Sequence, residues 1–300
     1  MARTIRLAGG AQGFNWLPVF VAEQEGLFAE HGLEIDYLRM GSVDKATAAV
    51  RDGEADLAIT PPEGAIVDSL AGGPLRIVGS NSERLPMSMV ARAGISTLAD
   101  LRGARIGTSS LTEGTAIYTR AMLEAVDLHY PGDYEFVLSG VHTARWAALE
   151  NGDIDAAPQP APWNFLAQER GYELVGEVSD AIPSIIFAAL IASEGWIDRN
   201  PEVLERLLAV LSQAHAVVND PANDEITRPI YQRITTPDHP ELARRGLDYT
   251  RGLGMWPAGL QVSPDALDAT IDVMLRAGLI AEDRRADARN AVVPRPAGEQ

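Results

Sequence analysis

The stretch from Gly26 to Thr60 constrains the fold more than any other part of the chain. It reads GLFAEHGLEIDYLRMGSVDKATAAVRDGEADLAIT, and it contains a helix end, a strand, a second helix and a second strand. Glycine stands at almost every change of direction, as the turns between such elements require. This alternation predicts a mainly parallel sheet flanked by helices. Because such sheets bind small molecules at the carboxyl ends of their strands, the sequence predicts a ligand cleft.

The same alternation restarts at Ile95 and runs to about Ile182, which predicts a second α/β unit inserted in the first. Ile185 to Ala192 is continuously apolar, as is typical of a buried strand, and we expect it to return the chain to the first unit. The remainder is predicted to be helical. A long amphipathic helix is expected to begin at Pro201, and another at Pro264 after the capping residue Ser263.

Composition excludes several classes of function. The 300 residues carry a net charge of −17, with 42 acidic against 25 basic residues, which argues against binding to nucleic acid or to an anionic membrane surface. There is no cysteine, so disulfides, thiolate nucleophiles, Fe–S clusters and cysteine-based zinc sites are excluded. No apolar run reaches the roughly 20 residues that span a bilayer, so membrane insertion is not expected.

The first residues, MARTIRLAGG, have no apolar core of the kind that a secretory leader needs. A lipid anchor is not expected either, because it requires an N-terminal cysteine. As written, the sequence therefore predicts a cytoplasmic protein. The alternative is a protein that acts outside the cytoplasm after removal of a leader.

Four fragments occur in a recognisable order: GLFAEHGLEIDYL, DGEADLAIT, STLADLRGARIG and ALENGDIDAA. Together they resemble type-2 periplasmic binding proteins, and most closely the SsuA/THI5-like branch for sulfonates, nitrate, taurine and thiamine pyrimidine precursors. The resemblance covers about Ile5 to Ile191. It implies an α/β fold of two lobes, each an open, mainly parallel sheet flanked by helices, with a helical C-terminal segment. Ligand is expected between the lobes, which close on it by hinge motion.

The resemblance also implies boundaries. Residues 1–92 are expected to form the first part of lobe 1, 93–186 lobe 2, and 187–300 the return strand and the helical completion of lobe 1. The two segments that cross between the lobes are expected near Ala91–Gly94 and Phe187–Ser193.

The loops that follow the predicted strands of lobe 1 hold the first candidates for ligand binding. Phe14, Asn15 and Trp16 combine aromatic rings with an amide, which suits a flat or partly apolar ligand, although either ring is equally able to cover the start of a helix. Thr60 and Pro61 follow the next strand. Glu63 is a candidate hydrogen-bond acceptor or base, with stabilisation of a helix N-terminus as the alternative. Asn81 follows a further strand in the same way.

The corresponding loops of lobe 2 supply the other candidates. Ser109, Ser110, Thr112 and Thr115 surround the start of a predicted helix, whose free N–H groups are able to bind an anion. Capping of the helix by a hydroxyl is the alternative, and Glu113 would repel an anion. His142 titrates near neutrality and is able to bind a ligand or move a proton. Gln159 and Trp163 belong to the loop that corresponds to the one at Thr60.

Three functions remain open from the sequence. The favoured one is a monomeric solute-binding protein of an ABC-type importer, with a small organic ligand and a permease as its expected partners. The second is a cytosolic enzyme that, lacking cysteine, performs acid–base chemistry of the desulfinase, decarboxylase, dehydratase or pyrimidine-precursor kind. Its candidate catalytic residues are His142, Glu63 and Glu113. The third is an intracellular sensor or interaction module. No cofactor and no metal site are expected.

Overall fold

The computed structural model describes residues 2–111 and 114–294. Within them, ten strands form two sheets of five strands each. The strands are β1 Arg3–Gly9, β2 Leu33–Arg39, β3 Leu57–Thr60, β4 Leu75–Ser82, β5 Met87–Ala91, β6 Arg105–Thr108, β7 Glu135–Leu138, β8 Ala156–Pro160, β9 Glu173–Glu177 and β10 Ala188–Ser193.

Helices pack on both sheets. Those in the described residues are α1 Leu17–Gln24, α2 Leu27–Glu30, α3 Val43–Arg51, α4 Glu63–Leu70, α5 Thr115–Glu124, α6 His142–Glu150, α7 Trp163–Glu169, α8 Val178–Ala181, α9 Glu194–Arg199, α10 Pro201–Asn219, α11 Asp224–Ile234, α12 Pro240–Gly252, α13 Pro264–Arg276 and α14 Arg285–Ala288. None of these helices is long and apolar enough to cross a membrane.

Each sheet defines one lobe, and the two sheets have equivalent topology. Lobe 1 has the order β2-β1-β3-β10-β4, and lobe 2 has the order β7-β6-β8-β5-β9. In lobe 1 the parallel pairs involve β1, whereas β10 runs antiparallel to both of its neighbours. In lobe 2 the antiparallel strand is β5. The predicted α/β fold of two open, mainly parallel sheets is confirmed.

Each antiparallel strand is the one that the chain contributes after arriving from the other lobe. Strand β10 is buried along almost its whole length between β3 and β4, which is why its sequence, AALIA, is continuously apolar. Strand β5 follows β4 directly but pairs with β8 and β9. The expected boundary at residue 92 assigns β5 to lobe 1, whereas its pairing assigns it to lobe 2.

The crossing segments consequently lie earlier in the chain than the expected positions near Ala91–Gly94 and Phe187–Ser193. One runs from Glu83 to Pro86 and the other ends at Phe187, because the next residue of each segment begins a strand of the other lobe. The two segments run side by side. The N–H of Ile185 donates to the carbonyl oxygen of Glu83 (3.2 Å), and that of Phe187 donates to the carbonyl oxygen of Ser82 (2.8 Å).

The C-terminal helices cover lobe 1 and also reach lobe 2. Helix α10 packs on α1, and apolar residues of α13 complete the core beneath β1, β4 and β10. Towards lobe 2, the hydroxyl of Tyr249 in α12 donates to Oε2 of Glu177 (3.1 Å), and that of Tyr231 in α11 donates to the carbonyl oxygen of Ala161 (3.1 Å). The helical segment is therefore shared between the lobes.

Candidate functional site

A cavity lies between the lobes, at the carboxyl ends of the parallel strands. The space between the lobes, including its opening to solvent, measures about 630 Å³. Its lining comes from lobe 1, lobe 2 and the crossing segments: Gly10, Ala11, Phe14, Asn15, Val43, Ile59, Thr60, Pro61, Met87, Ser109, Gly114, Thr115, Val141, His142, Arg145, Pro160, Phe187 and Ala188.

The equivalence of the two sheets explains why the walls face each other. Four pairs of lining residues differ by 99 in their numbers and lie at or beside a strand end or a helix start: Gly10 and Ser109, Asn15 and Gly114, Val43 and His142, Pro61 and Pro160. In a sheet of this kind, the loops at the carboxyl edge form the ligand crevice. The cavity is formed by two such edges brought together.

The wall from lobe 1 contains four of the sequence-predicted residues, namely Phe14, Asn15, Thr60 and Pro61. The loop that carries Asn15 is held by β4, because Nδ2 of Asn81 donates to the carbonyl oxygen of Asn15 (2.8 Å). Thr60 ends β3, and its hydroxyl lies 3.3 Å from that of Thr47. This wall carries no charged side chain among the residues that line the cavity.

Aromatic contacts join the lobes at the cavity. Phe14 of lobe 1 stacks on Phe187 of the crossing segment, with ring centroids 5.7 Å apart and planes 12° apart. Phe14 also meets the ring of His142 edge-on, with centroids 6.3 Å apart. A Cβ atom at Gly13 would come within 3.0 Å of Cε1 of His142, so the backbone of lobe 1 approaches lobe 2 closely here. The structure is therefore that of closed lobes.

The wall from lobe 2 includes three more predicted residues, Ser109, Thr115 and His142. Thr115 begins α5, and its hydroxyl accepts from the N–H of Ser109 (3.1 Å) and lies 2.8 Å from the hydroxyl of Thr108. These bonds fix the loop at the start of α5.

His142 begins α6 and sits among rings. Its centroid lies 5.8 Å from that of Trp163. Burial, with the nearby Arg145 guanidinium as a second cause, holds the pKa of His142 well below its ordinary value. The imidazole is consequently neutral at physiological pH, which suits hydrogen bonding to a ligand rather than charge pairing.

Arg145 is a cavity residue that the sequence analysis missed. Its side chain is buried, and it lies one turn after His142 on the same face of α6. Nε donates to the carbonyl oxygen of Pro158 (3.1 Å) and Nη1 to that of Gly140 (3.0 Å). A cation at helical spacing from the candidate His142, next to the apolar Trp146, is the signal that could have revealed it.

Three predicted residues stand behind the walls. Trp16 is fully buried under β1 and packs against Phe20 and Tyr37, so its position assigns it to the core of lobe 1. Asn81 supports the Asn15 loop, as described above. The hydroxyl of Ser110 donates to Oδ1 of Asp44 across the lobes (3.3 Å) and is not part of the cavity lining.

Gln159 and Trp163 lie in lobe 2 but do not line the cavity. Gln159 is fully buried, and both polar atoms of its amide lack a hydrogen-bond partner among the described residues. Nε1 of Trp163 is likewise buried without a partner there. Met87 and Phe187, which form the hinge side of the cavity, were not among the predicted site residues.

Glu63 is almost completely buried at the start of α4 and does not line the cavity. Burial raises the pKa of its carboxyl to about 7, although the N–H of Gly114 and the hydroxyl of Tyr118 oppose this rise by favouring the charged form. Both groups belong to lobe 2, so Glu63 lies at the contact between the lobes. Thr112 and Glu113, the remaining predicted residues, lie outside the described residues. In residues 2–111 and 114–294, no cluster of His, Asp and Glu is arranged to hold a metal ion.

Comparison with known proteins places this geometry in context. A family model described as NMT1/THI5 like matches residues 13–223. A protein of Brucella abortus (strain 2308), provisionally named a binding protein, is 27% identical over 198 residues, which is 65% of this chain and 60% of that protein. A 4-amino-5-hydroxymethyl-2-methylpyrimidine phosphate synthase of Uromyces fabae is 23% identical over 236 residues, covering 69% and 66% of the two chains.

Among solved structures, the alkanesulfonate-binding protein SsuA from Xanthomonas axonopodis pv. citri, bound to MOPS, superposes with a TM-score of 0.76. The identity is 18%, with 98% of this chain and 99% of that chain covered. At this identity the likeness concerns the fold, which is that of two-lobed periplasmic binding proteins.

Proposed function

The chain belongs to the NMT1/THI5-like family, and on this premise we propose that it is a solute-binding protein of an ABC-type importer. It takes a small organic molecule into the cavity between its lobes and holds it by closing the hinge. The aligned curated relative from Brucella abortus is matched over only 60% of its own length, so the activity is proposed here on the strength of the site.

The observation that carries the proposal is the composition of the cavity lining. Residues from both lobes and from the crossing segments line one space, with apolar side chains in the majority and a few polar groups at fixed positions. This is the character of a ligand-binding site. Since the two walls belong to separate sheets, we expect closure around a ligand to rotate one lobe against the other about the two adjacent crossing segments.

An importer receptor delivers its ligand to a permease, so a permease is the proposed protein partner. Such a receptor works outside the cytoplasm, and the proposal therefore includes the extracytoplasmic of the two locations expected from the sequence.

The acid–base alternative requires Glu63 and His142 to face the same space. His142 lines the cavity, whereas Glu63 is buried between α4 and lobe 2 outside the lining. This geometry favours binding over catalysis by that pair.

Native mass spectrometry of protein purified from its own host tests the proposal, because closed lobes retain their ligand during purification. We expect a small organic molecule to leave with the wild-type protein and to be released unchanged. Ala11→Trp, which fills the cavity from lobe 1, should abolish retention, whereas Ala93→Trp at an exposed position should not. Retention by A11W equal to that of the wild type, or release of a chemically altered molecule, would contradict a binding function in this cavity.

A further inference from the structure

The cavity contains a buried cation without a counter-ion. Arg145 is 2% exposed, and no carboxylate lies within ion-pair distance of it among the described residues. Two of its nitrogens donate to backbone carbonyls, which leaves Nη2 without a hydrogen bond to the described residues. Burial lowers the pKa of Arg145 to about 10, so the guanidinium stays charged at neutral pH. A buried charge without a partner is costly, and an anion in the cavity would supply the missing partner.

Lobe 2 holds further hydrogen-bond donors without partners. Helix α6 begins at His142 with no side-chain cap, so the N–H groups of His142 and Thr143 have no acceptor within the helix. Behind the cavity lining, the buried amide of Gln159 and the buried Nε1 of Trp163 lack hydrogen-bond partners among the described residues. In the part of the chain that the structure describes, no carboxylate side chain lines the cavity. The unpaired Arg145 and the lack of a carboxylate in this lining therefore favour a ligand that carries negative charge.

The side of the cavity next to the crossing segments is apolar. Phe14 and Phe187 stack nearly parallel, and Met87 and Ile59 lie beside them in the lining. Both rings belong to the cavity lining, so together with their apolar neighbours they offer a surface against which an aromatic ring packs edge-on or offset. A ligand that fits both sides has one anionic end and one flat apolar end.

We propose, building on the solute-binding function above, that the ligand is a small aromatic acid with a single negative charge. Its carboxylate or sulfonate binds Arg145 and the first turn of α6 on lobe 2, while its ring packs against Phe14 and Phe187. Carboxylate and sulfonate heads share this chemistry, because each offers several oxygen acceptors to a guanidinium and to helix N–H groups.

Isothermal titration calorimetry on the full-length wild-type protein tests the proposal with five probes: benzoate, benzenesulfonate, benzamide, acetate and methanesulfonate. We expect benzoate or benzenesulfonate to bind. Benzamide, which has the same ring without the charge, should bind at least about tenfold more weakly. The aliphatic acids should also bind more weakly, because they lack the ring. Comparison of benzoate with benzenesulfonate identifies the preferred head group.

Two variants locate the contacts. Arg145→Gln should weaken binding of the better aromatic acid by about 10- to 100-fold, whereas the exposed Arg199→Gln should leave it unchanged. Phe14→Leu keeps an apolar side chain but removes the ring, so it should weaken the aromatic acid while leaving the aliphatic acid unaffected. If Arg145→Gln fails to fold, the comparison of benzoate with benzamide on the wild-type protein still decides the role of the charge.

Equal affinity for benzamide and benzoate would overturn the anionic part of the proposal, and equal affinity for acetate and benzoate would overturn the aromatic part. If none of the aromatic acids binds, but native mass spectrometry finds another molecule that A11W fails to retain, this inference is wrong while the solute-binding function stands. If no molecule is retained in the cavity and no probe binds, both proposals fail.

Discussion

Burial makes Glu63 a weaker acid than an exposed glutamate. Its carboxyl is 1% exposed, and burial raises its pKa from 4.5 to about 7. Below pH 4.5 the folded and unfolded chains both bind the proton, and the advantage of the neutral form is complete. Between pH 4.5 and 7 the unfolded chain releases its proton first, so this advantage is lost as pH rises.

Replacement of Glu63 by Gln should remove this pH dependence, because an amide occupies the same site without titrating. We expect the free energy of unfolding of the wild type, relative to E63Q, to fall by roughly 3 kcal/mol between pH 4.5 and pH 8. Urea denaturation at several pH values measures this difference. The exposed Glu54→Gln serves as the control. Parallel pH profiles for wild type and E63Q would show that folding does not shift the pKa of Glu63.

Gly9 illustrates a close approach that excludes any side chain. A Cβ atom at this position would lie 2.5 Å from Cζ2 of Trp16, a ring that is completely buried. Gly9→Ala should therefore force the indole to move and lower the free energy of unfolding by about 1–3 kcal/mol. Gly252→Ala, at the end of α12 with no atom near the new methyl group, is the matched control and should be neutral or slightly stabilising. Equal stability of the two variants in chemical denaturation would contradict this packing.

The position of Trp16 also shows what a local pattern leaves open. Phe14 and Trp16 are two residues apart in one predicted loop, and nothing in the local sequence predicts different positions for their rings. The short helical turn at Phe14–Trp16 sends Phe14 to the cavity and Trp16 beneath β1, a choice made by the packing of Phe20 and Tyr37 from later elements. Arg145 was missed for a related reason. Its lack of a counter-ion depends on which groups surround it in the fold, and these are the backbone carbonyls of Pro158 and Gly140.

At the scale of elements, the two lobes repeat one hydrogen-bond network. Arg6 in β1 and Asp56 before β3 are linked through side chain and backbone, and the guanidinium of Arg6 also donates to the carbonyl oxygen of Gly53. In lobe 2 the same bonds join Arg105, Asp155 and Gly152, each 99 positions later. Each network joins the turn after a helix to the central strands, at the sheet edge opposite the cleft.

Asp56→Asn and Asp155→Asn should therefore destabilise their lobes alike, by about 1–3 kcal/mol at pH 7, since each weakens charge-assisted hydrogen bonds. Hydrogen bonds with Arg105 lower the pKa of Asp155 to about 2. Its contribution is complete above the ordinary aspartate pKa of 3.8 and is lost as pH falls through 2. Urea denaturation of both variants, with the exposed Asp198→Asn as control, measures the effect. If only one of the two variants loses stability, the two hydrogen-bond networks are not equivalent.

Most element types followed from the sequence because each lobe is built from local alternation of short apolar runs and amphipathic segments. The alternation does not show which strands pair with each other. Strand β5 follows β4 with only a short segment between them, yet it inserts between β8 and β9, whose residues lie far along the chain. The pairing is decided by tertiary contacts, which is why the lobe boundary expected at residue 92 differs from the observed pairing.

At the scale of the whole molecule, the cleft followed from topology while its chemistry did not. Equivalent carboxyl edges bring Thr60, Pro61, Ser109 and Thr115 into one lining, as the alternation of strands and loops predicts. The hinge side, with Met87 and Phe187, arises only where two crossing segments meet, and no local motif marks that meeting. Because the two lobes are joined by two adjacent crossing segments, we expect ligand binding to rotate one lobe against the other.

This motion is directly measurable, because the chain has no cysteine to interfere with labelling. Lys45 and Ala144 are exposed, differ by 99 in number, and lie in the first turns of α3 and α6 on opposite rims of the cleft. Spin labels at Lys45→Cys and Ala144→Cys should give a longer, broader distance distribution without ligand and a single shorter distance with ligand, by pulsed electron paramagnetic resonance.

The pair Lys45→Cys and Asp52→Cys, both attached to α3, provides the control and should not change, because it lies within lobe 1. Ala11→Trp should hold the cross-cleft pair at its open distance even when ligand is added, since the indole occupies the space that closure encloses. A cross-cleft distance that stays constant while calorimetry records binding would mean that the lobes form one rigid body, and that ligand enters and leaves without rotation about the crossing segments.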